Sequence, residues 1–266
     1  MTNTPAAAPA ATPMATTARV LLGEQTASSL LRNIVYVYRH HAVIVLSCAV
    51  LPVLPFLVLL ELFAETSPLM AGVGALGYFA GMLICPATLT VVISDICVGT
   101  APKLSRAFGH ILGRGRWWHL LSTGLLLGLA MVVGLFALLV GAFWVLVRSL
   151  FGATIVALEG RRNVDALRRS FELTRGQGWR LTGLTLLPIL VAYLAMIPIA
   201  VLLVIGASLA GPDSTLAQHV VAIGILAASL GLILPVASIT TVLLYYDQRV
   251  RRESYDAQAL SEDLMR

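Results

Sequence analysis

Charge is scarce in this chain. Asp, Glu, Lys and Arg make up 12% of its 266 residues, against roughly 25% in soluble domains. Lysine is nearly absent: of 18 basic residues 17 are arginine, and Lys103 stands alone. The shortage is concentrated in runs. Ala42–Leu60, Leu69–Ser94, Leu181–Ala210 and Val220–Tyr246 hold no charged residue, and Trp117–Leu158 holds only Arg148. About 20 apolar residues span a hydrocarbon core, so these runs exclude an ordinary soluble domain and predict an all-α, polytopic membrane bundle. Cysteine is also scarce. Cys48, Cys85 and Cys97 form no C-x-x-C pair, which points away from a disulfide frame or a zinc site and toward free thiols within the helices. Motifs of the G-x-S-x-G, H-E-x-x-H and P-loop kinds are missing as well, so no enzyme class is indicated and no cofactor or metal is expected.

The first residues, MTNTPAAAPAATPMATT, lack both charge and a bulky apolar run. Residues 1–18 are expected to be a disordered tail, and not a secretory leader, because no basic segment precedes an apolar one. The membrane domain is expected over 19–247 and a cytoplasmic segment over 248–266. The net charge of +5 does not suggest nucleic acid, since the basic residues cluster at the ends of apolar runs, where an anionic membrane surface attracts them.

Trp117–Leu158 is the run that decides the number of crossings. Its 42 residues would extend about 63 Å as one helix, twice a core of about 30 Å. It is expected to fold back, with the turn at Gly141-Ala142. Lys103, Arg106, Arg114 and Arg116 precede it, and Arg161, Arg162, Arg168, Arg169, Arg175 and Arg180 follow it. Two crossings put both basic groups on the cytoplasmic side. The connections 61–68 and 211–219 contain Glu61, Glu65 and Asp213 but no Lys or Arg, as outer loops should. The expectation is six spans with both termini in the cytoplasm of a bacterial inner membrane. Span four, near 143–158, is short enough to be re-entrant instead. Trp117, Trp118, Trp179, Tyr245 and Tyr246 are placed as interfacial anchors.

Segments 104–115 (LSRAFGHILGRG) and 167–178 (LRRSFELTRGQG) repeat at an offset of 63, matching Leu104/Leu167, Arg106/Arg169, Phe108/Phe171, Gly113/Gly176 and Gly115/Gly178. Both read as amphipathic helices, near 102–113 and 163–175. Val164, Leu167 and Phe171 share one face of the second. Asn163 is its expected N-cap, Gly176 its C-cap, and Pro102 suits the first turn of the earlier helix. Residues 27–41 match more weakly as a third. The chain thus reads as three units, each a surface helix followed by a membrane hairpin. Asp95, Glu159 and Asp247 each stand where a span returns to the cytoplasm.

ALEGRRNVDALRRSFELTRGQGWRLTGL (157–184) and TTVLLYYDQRVRRESYD (240–256) together resemble the bacterial glycerophosphoryl diester phosphodiesterase membrane-domain family and related six-span proteins. The matching positions are Glu159-Gly160, Ala166, Leu167, Arg169, Ser170, Leu173, Gly176 and Trp179. A second set is Leu244, Tyr245, Asp247, Arg249, Arg251 and Glu253. The resemblance implies a fold and a membrane. The family's soluble phosphodiesterase domain would follow the last span, and only 20 residues follow Tyr246 here, so the reaction is not expected to carry over.

The chemistry-bearing residues are few. Arg148, as the one charge in a predicted span, should face the bundle interior, bond to backbone carbonyls, snorkel, or meet an anion or lipid headgroup. Asp95, Glu159 and Asp247 either pair with Arg161, Arg169 or Arg249 or couple protons or cations. The Ser/Thr stripes beside Asp95 and Asp247 either line a path or hold helices together. Arg168, Arg169 and their neighbours would bind anionic headgroups at about 1 kcal/mol each. The histidines are expected to be solvated or interfacial, Gly77/Gly81 and Gly124/Gly128 to mark close crossings, and the span prolines to kink. The function expected from these features is a non-enzymatic integral membrane protein that binds lipid or a membrane protein partner, in envelope maintenance or complex assembly. The alternative is a transporter or channel component.

Overall fold

A computed structural model describes residues 25–113, 115–136, 140–209 and 215–253. The expected tail 1–18 and most of the C-terminal segment lie outside them. All regular structure among the described residues is helical. The order is α1 (Ala27–Val50), α2 (Leu54–Phe63), α3 (Pro68–Val98), α4 (Leu104–Leu112), α5 (Arg116–Phe136), α6 (Val140–Arg148), α7 (Gly152–Glu159), α8 (Asn163–Thr174), α9 (Gly178–Leu209) and α10 (Thr215–Glu253). Among the described residues four helices are long and apolar enough to cross a membrane: α1, α3, α9 and, over Ala217–Glu253, α10.

Local chemistry sets the boundaries. Thr26 and Ser29 form a reciprocal capping box at the start of α1, which satisfies two otherwise orphaned N–H groups. His41 leaves helical geometry at φ −132° and ψ 22°, at the position where the expected surface helix 27–41 gives way to the first apolar run. Ser67 accepts the Met70 N–H ahead of α3, with Pro68 in the first turn. Gly99 ends α3 at φ +80°, a conformation that costs glycine little.

Three glycines of α3 bring it against α2 and the turn that precedes it. A Cβ on Gly74 would lie 2.6 Å from the Leu60 nitrogen, one on Gly81 2.9 Å from the Pro52 carbonyl, and one on Gly77 inside the Phe56 ring. The Gly77/Gly81 motif is therefore a crossing within the chain. Gly124 approaches Leu83 of α3, while Gly128 faces open space.

Packing is concentrated at one end of the bundle, here called the basic end. The core joins Leu30–Val37 of α1, Ala87–Cys97 of α3, Ala107 and Ile111 of α4, Phe151–Ala157 in and beside α7, Ala166 and Leu173 of α8, and Val236–Tyr246 of α10. Toward the other end the side chains are exposed, among them Leu69, Leu76, Leu202 and Leu209. Helix α9 buries only Leu181, Pro188, Ala192 and Met196, one stripe laid against α10. Its remaining apolar surface is what lipid would cover.

Several expectations are corrected. Gly141 and Ala142 lie inside α6, which begins at Val140, so they do not form the turn. Pro102 precedes the N-cap position, Lys103, of α4. Asn163 does not cap α8: it has φ +46°, and its side-chain oxygen accepts the Ser122 hydroxyl of α5. Tyr245 and Tyr246 are not interfacial anchors but buried, at 0% and 1% exposure. Trp117, Trp118 and Trp179 are exposed, as anchors require.

Candidate functional site

The three acids at the span returns all lie at the basic end, and each meets arginine. Glu159, which ends α7, accepts Arg161 Nε at 2.7 Å and the Tyr245 hydroxyl at 2.8 Å, and Arg169 Nε lies 3.6 Å from it. Arg169 also bonds Glu253, which Arg249 holds at 3.0 Å. Burial alone would lower the Arg169 pKa. The Glu253 hydrogen bond and the Glu159 and Glu253 charges outweigh it and raise the pKa above the ordinary arginine value, so this guanidinium stays charged. Asp247 is buried and accepts the Gln25 backbone N–H at 2.8 Å, Arg180 Nη1 at 2.9 Å and Arg251 Nε at 3.1 Å. Arg180 also donates to the Gln25 carbonyl at 2.8 Å. Gln248, with its amide oriented to satisfy both ends, donates to the Leu173 carbonyl and accepts from Arg180. One cluster thus ties the first described residue to the end of α8, the start of α9 and the last turns of α10.

Asp95 is the sparsely held member. It is buried, pairs with Arg106 of α4 at 3.2 Å, and its carboxylate oxygens accept no well-formed hydrogen bond among the described residues. The neighbouring hydroxyls are occupied. Thr88 and Thr90 donate to carbonyls of their own helix, as do Thr240 and Thr241, and the Tyr246 hydroxyl donates to Ser94 at 2.9 Å. Polar groups left without partners in an apolar setting are costly, and this arrangement leaves few of them.

Arg148 takes one of the outcomes open to it from the sequence, a bond to a backbone carbonyl. It ends the nine-residue α6 and does not sit within one continuous span. Turn residues Ser149–Phe151 separate α6 from α7, which exposes backbone groups that an unbroken helix would satisfy. Ser170 of α8 repairs this break: its hydroxyl donates to the Arg148 carbonyl at 2.6 Å and accepts the Phe151 N–H at 3.2 Å. In return the Arg148 guanidinium donates to the Phe171 carbonyl at 3.2 Å. That carbonyl lies in the last turn of α8, where a cation is favoured. The guanidinium also stacks on the Trp144 ring, 4.6 Å from its centre.

The two faces of α8 serve different purposes. Ala166, Ser170, Leu173 and Thr174 are buried. Val164, Leu167 and Phe171, the face expected from spacing to be apolar, instead line an open cavity of about 500 Å³. Arg148, Arg168 and Arg175 surround it, with Glu172 at the edge. Volumes of ~300–1,000 Å³ are usual for small-ligand sites. Of the sequence-derived site residues, Arg148 and Arg168 share this cavity, Arg169, Glu159 and Asp247 belong to the ion-pair clusters, and Asp95 stands apart with Arg106. Sequence reasoning did not single out Ser170 or Arg106 as site residues, and took Arg175 and Arg180 only as part of the basic stretch 161–180. Arg175 could have been found from its register, since it follows Val164, Arg168 and Phe171 along one helical face. Among the described residues, no three of His, Cys, Asp and Glu are placed to hold a metal.

No curated protein and no solved structure matches the chain. A family model described as a domain of unknown function, DUF7847, matches residues 73–248, which takes in most of α3 through most of α10, with the α8 cavity and the acids Asp95, Glu159 and Asp247, and the chain belongs to that family.

Proposed function

We propose that this chain is a six-span protein of a bacterial inner membrane, with the basic end in the cytoplasm, that binds anionic lipid and catalyses no reaction. The observation that carries the proposal is the division of labour among its charges. The acids at the span returns are consumed in ion pairs that hold helix ends together. Exposed arginines, among them Arg32, Arg39, Arg168 and Arg175, share that end and have no comparable surplus of carboxylates. Each arginine near an anionic leaflet contributes about 1 kcal/mol of attraction. The six-span count combines the four long helices with α5 and the broken α6–α7 pair, and it agrees with the positive-inside rule. The likeness to glycerophosphoryl diester phosphodiesterase membrane domains rests on sequence motifs and supports the same topology. Transport is the less favoured reading, because the Thr88, Thr90, Thr240 and Thr241 hydroxyls bond within their own helices and do not line a path.

The test is the lipid composition around the full-length protein extracted from its own membrane in polymer-bounded discs. Enrichment of anionic over zwitterionic lipid relative to the bulk membrane is expected. Equal composition, or protein-dependent solute flux in reconstituted vesicles, would overturn the proposal.

A further inference from the structure

An amphipathic helix buries its apolar face, and α8 does not. Its core-facing side is Ala166, Ser170, Leu173 and Thr174, held by the packing of Ala166 and Leu173 in the core and by the Ser170 hydrogen bonds. Val164, at 62% exposure, with Leu167 and Phe171, opens into the cavity. Three arginines line that apolar floor: Arg148 from the end of α6, Arg168 from α8, and Arg175 from the residue that follows it. Glu172 is the only carboxylate on the lining, and it stands 3.6 Å from Arg168, so the cavity is net cationic.

The surface leading away from the cavity is aromatic. The Trp144 ring meets Phe171 edge-on at 6.0 Å and carries the Arg148 guanidinium on its face. Phe143, on the same helix, lies 6.1 Å from Trp179 at the start of α9. Phe143, Trp144 and Trp179 are exposed, and exposed tryptophans sit at the boundary between hydrocarbon and headgroups. A small soluble anion would use the arginines and leave the apolar floor and aromatic strip wet. A ligand with a phosphate at one end and an alkyl chain at the other uses all three features, since guanidinium matches phosphate oxygens in pairs and the strip covers a chain.

We infer that the cavity between α6 and α8 holds one anionic glycerophospholipid, its phosphate among Arg148, Arg168 and Arg175 and one acyl chain along Trp144 and Phe143. This rests on the lipid-binding reading above and names the site and the ligand class. Arg148 is already fixed by Phe171 and Trp144, so it is the pre-positioned contact, while Arg168 must leave Glu172 to reach the phosphate.

Native mass spectrometry of the full-length protein, reconstituted in equal parts of phosphatidylglycerol and phosphatidylcholine and released in mild detergent, tests this. The variant is Arg168→Gln with Arg175→Gln, two exposed side chains whose loss leaves the Ser170 and Arg148 bonds in place. The control is Arg32→Gln with Arg39→Gln, which removes the same charge from α1. The expectation is that wild type keeps one phosphatidylglycerol, that the cavity variant weakens its retention at least about tenfold, that the control changes it less than about threefold, and that Glu172→Gln strengthens it. If wild type retains phosphatidylglycerol and the cavity variant retains it equally, the site assignment is wrong and the broader reading survives. If wild type retains neither lipid selectively, both fail. If glycerol 3-phosphate in detergent binds as tightly as the lipid, the cavity is a soluble-anion site and the inference is overturned.

Discussion

Replacing Ser170 with alanine tests whether the break between α6 and α7 is held from α8. The substitution deletes one oxygen and with it two bonds, the 2.6 Å donation to the Arg148 carbonyl and the 3.2 Å acceptance of the Phe151 N–H. Ser170 and Phe151 are fully buried, so water does not replace the lost partner. A buried backbone group left unsatisfied costs about 1–3 kcal/mol. Hydrogen bonds in membrane proteins tend to the lower part of that range, about 0.6–1.7 kcal/mol. For two such bonds the expected loss is about 1–3 kcal/mol, a sizeable share of a total stability of roughly 5–15 kcal/mol. Reversible unfolding in mixed micelles, followed by helix content, measures the difference. Hydrogen exchange localises it: the Phe151 amide should exchange faster in the variant, while amides near Asp95 should not change. A loss below about 0.5 kcal/mol, or faster exchange spread evenly through the chain, would refute the reasoning and make Ser170 a space-filling residue.

Other predictions follow from the same packing. Gly74→Ala should destabilise by about 1–3 kcal/mol, because its methyl group meets the Leu60 backbone, whereas Gly128→Ala, facing open space, should be neutral or slightly stabilising; thermal unfolding in one detergent compares them. Asp247→Asn leaves the partly exposed Arg180 and Arg251 without their counter-charge and should cost about 1–3 kcal/mol; limited proteolysis near residue 25 should report the loosening of the Gln25 contact before the bundle unfolds. Tyr246→Phe removes the hydroxyl that bonds Ser94 and should cost about 1 kcal/mol, read by the same unfolding assay.

How much of this the sequence disclosed depends on the length scale of the signal. Long uncharged runs are a composition signal, so the helical, membrane-length segments could be read from it directly. The partnership of Glu159 with Arg161 and Arg169 could also be read, since all three lie within a short stretch. Tyr245 and Tyr246 could not. At the end of an apolar run a tyrosine looks the same whether its ring faces lipid or another helix, and Phe151, Glu159 and Ser94, which hold these two, come from distant parts of the chain. The helix break beside Arg148 was hidden for a related reason. Hydropathy registers Ser149–Phe151 as part of an apolar run, but the backbone turns there because a hydroxyl from α8 takes over its hydrogen bonds. The cavity was half disclosed. Spacing put Val164, Leu167 and Phe171 on one face, yet only the packing of α8 through Ala166 and Ser170 turns that face away from the core.

The most direct test of the account is the structure of the full-length protein in a lipid disc containing phosphatidylglycerol, solved by electron cryomicroscopy at side-chain detail. The account predicts headgroup density among Arg148, Arg168 and Arg175, continuing as an acyl chain past Trp144. A cavity closed by α8 rotating Val164 and Phe171 into the core, or filled by Glu172 with no lipid density, would contradict it.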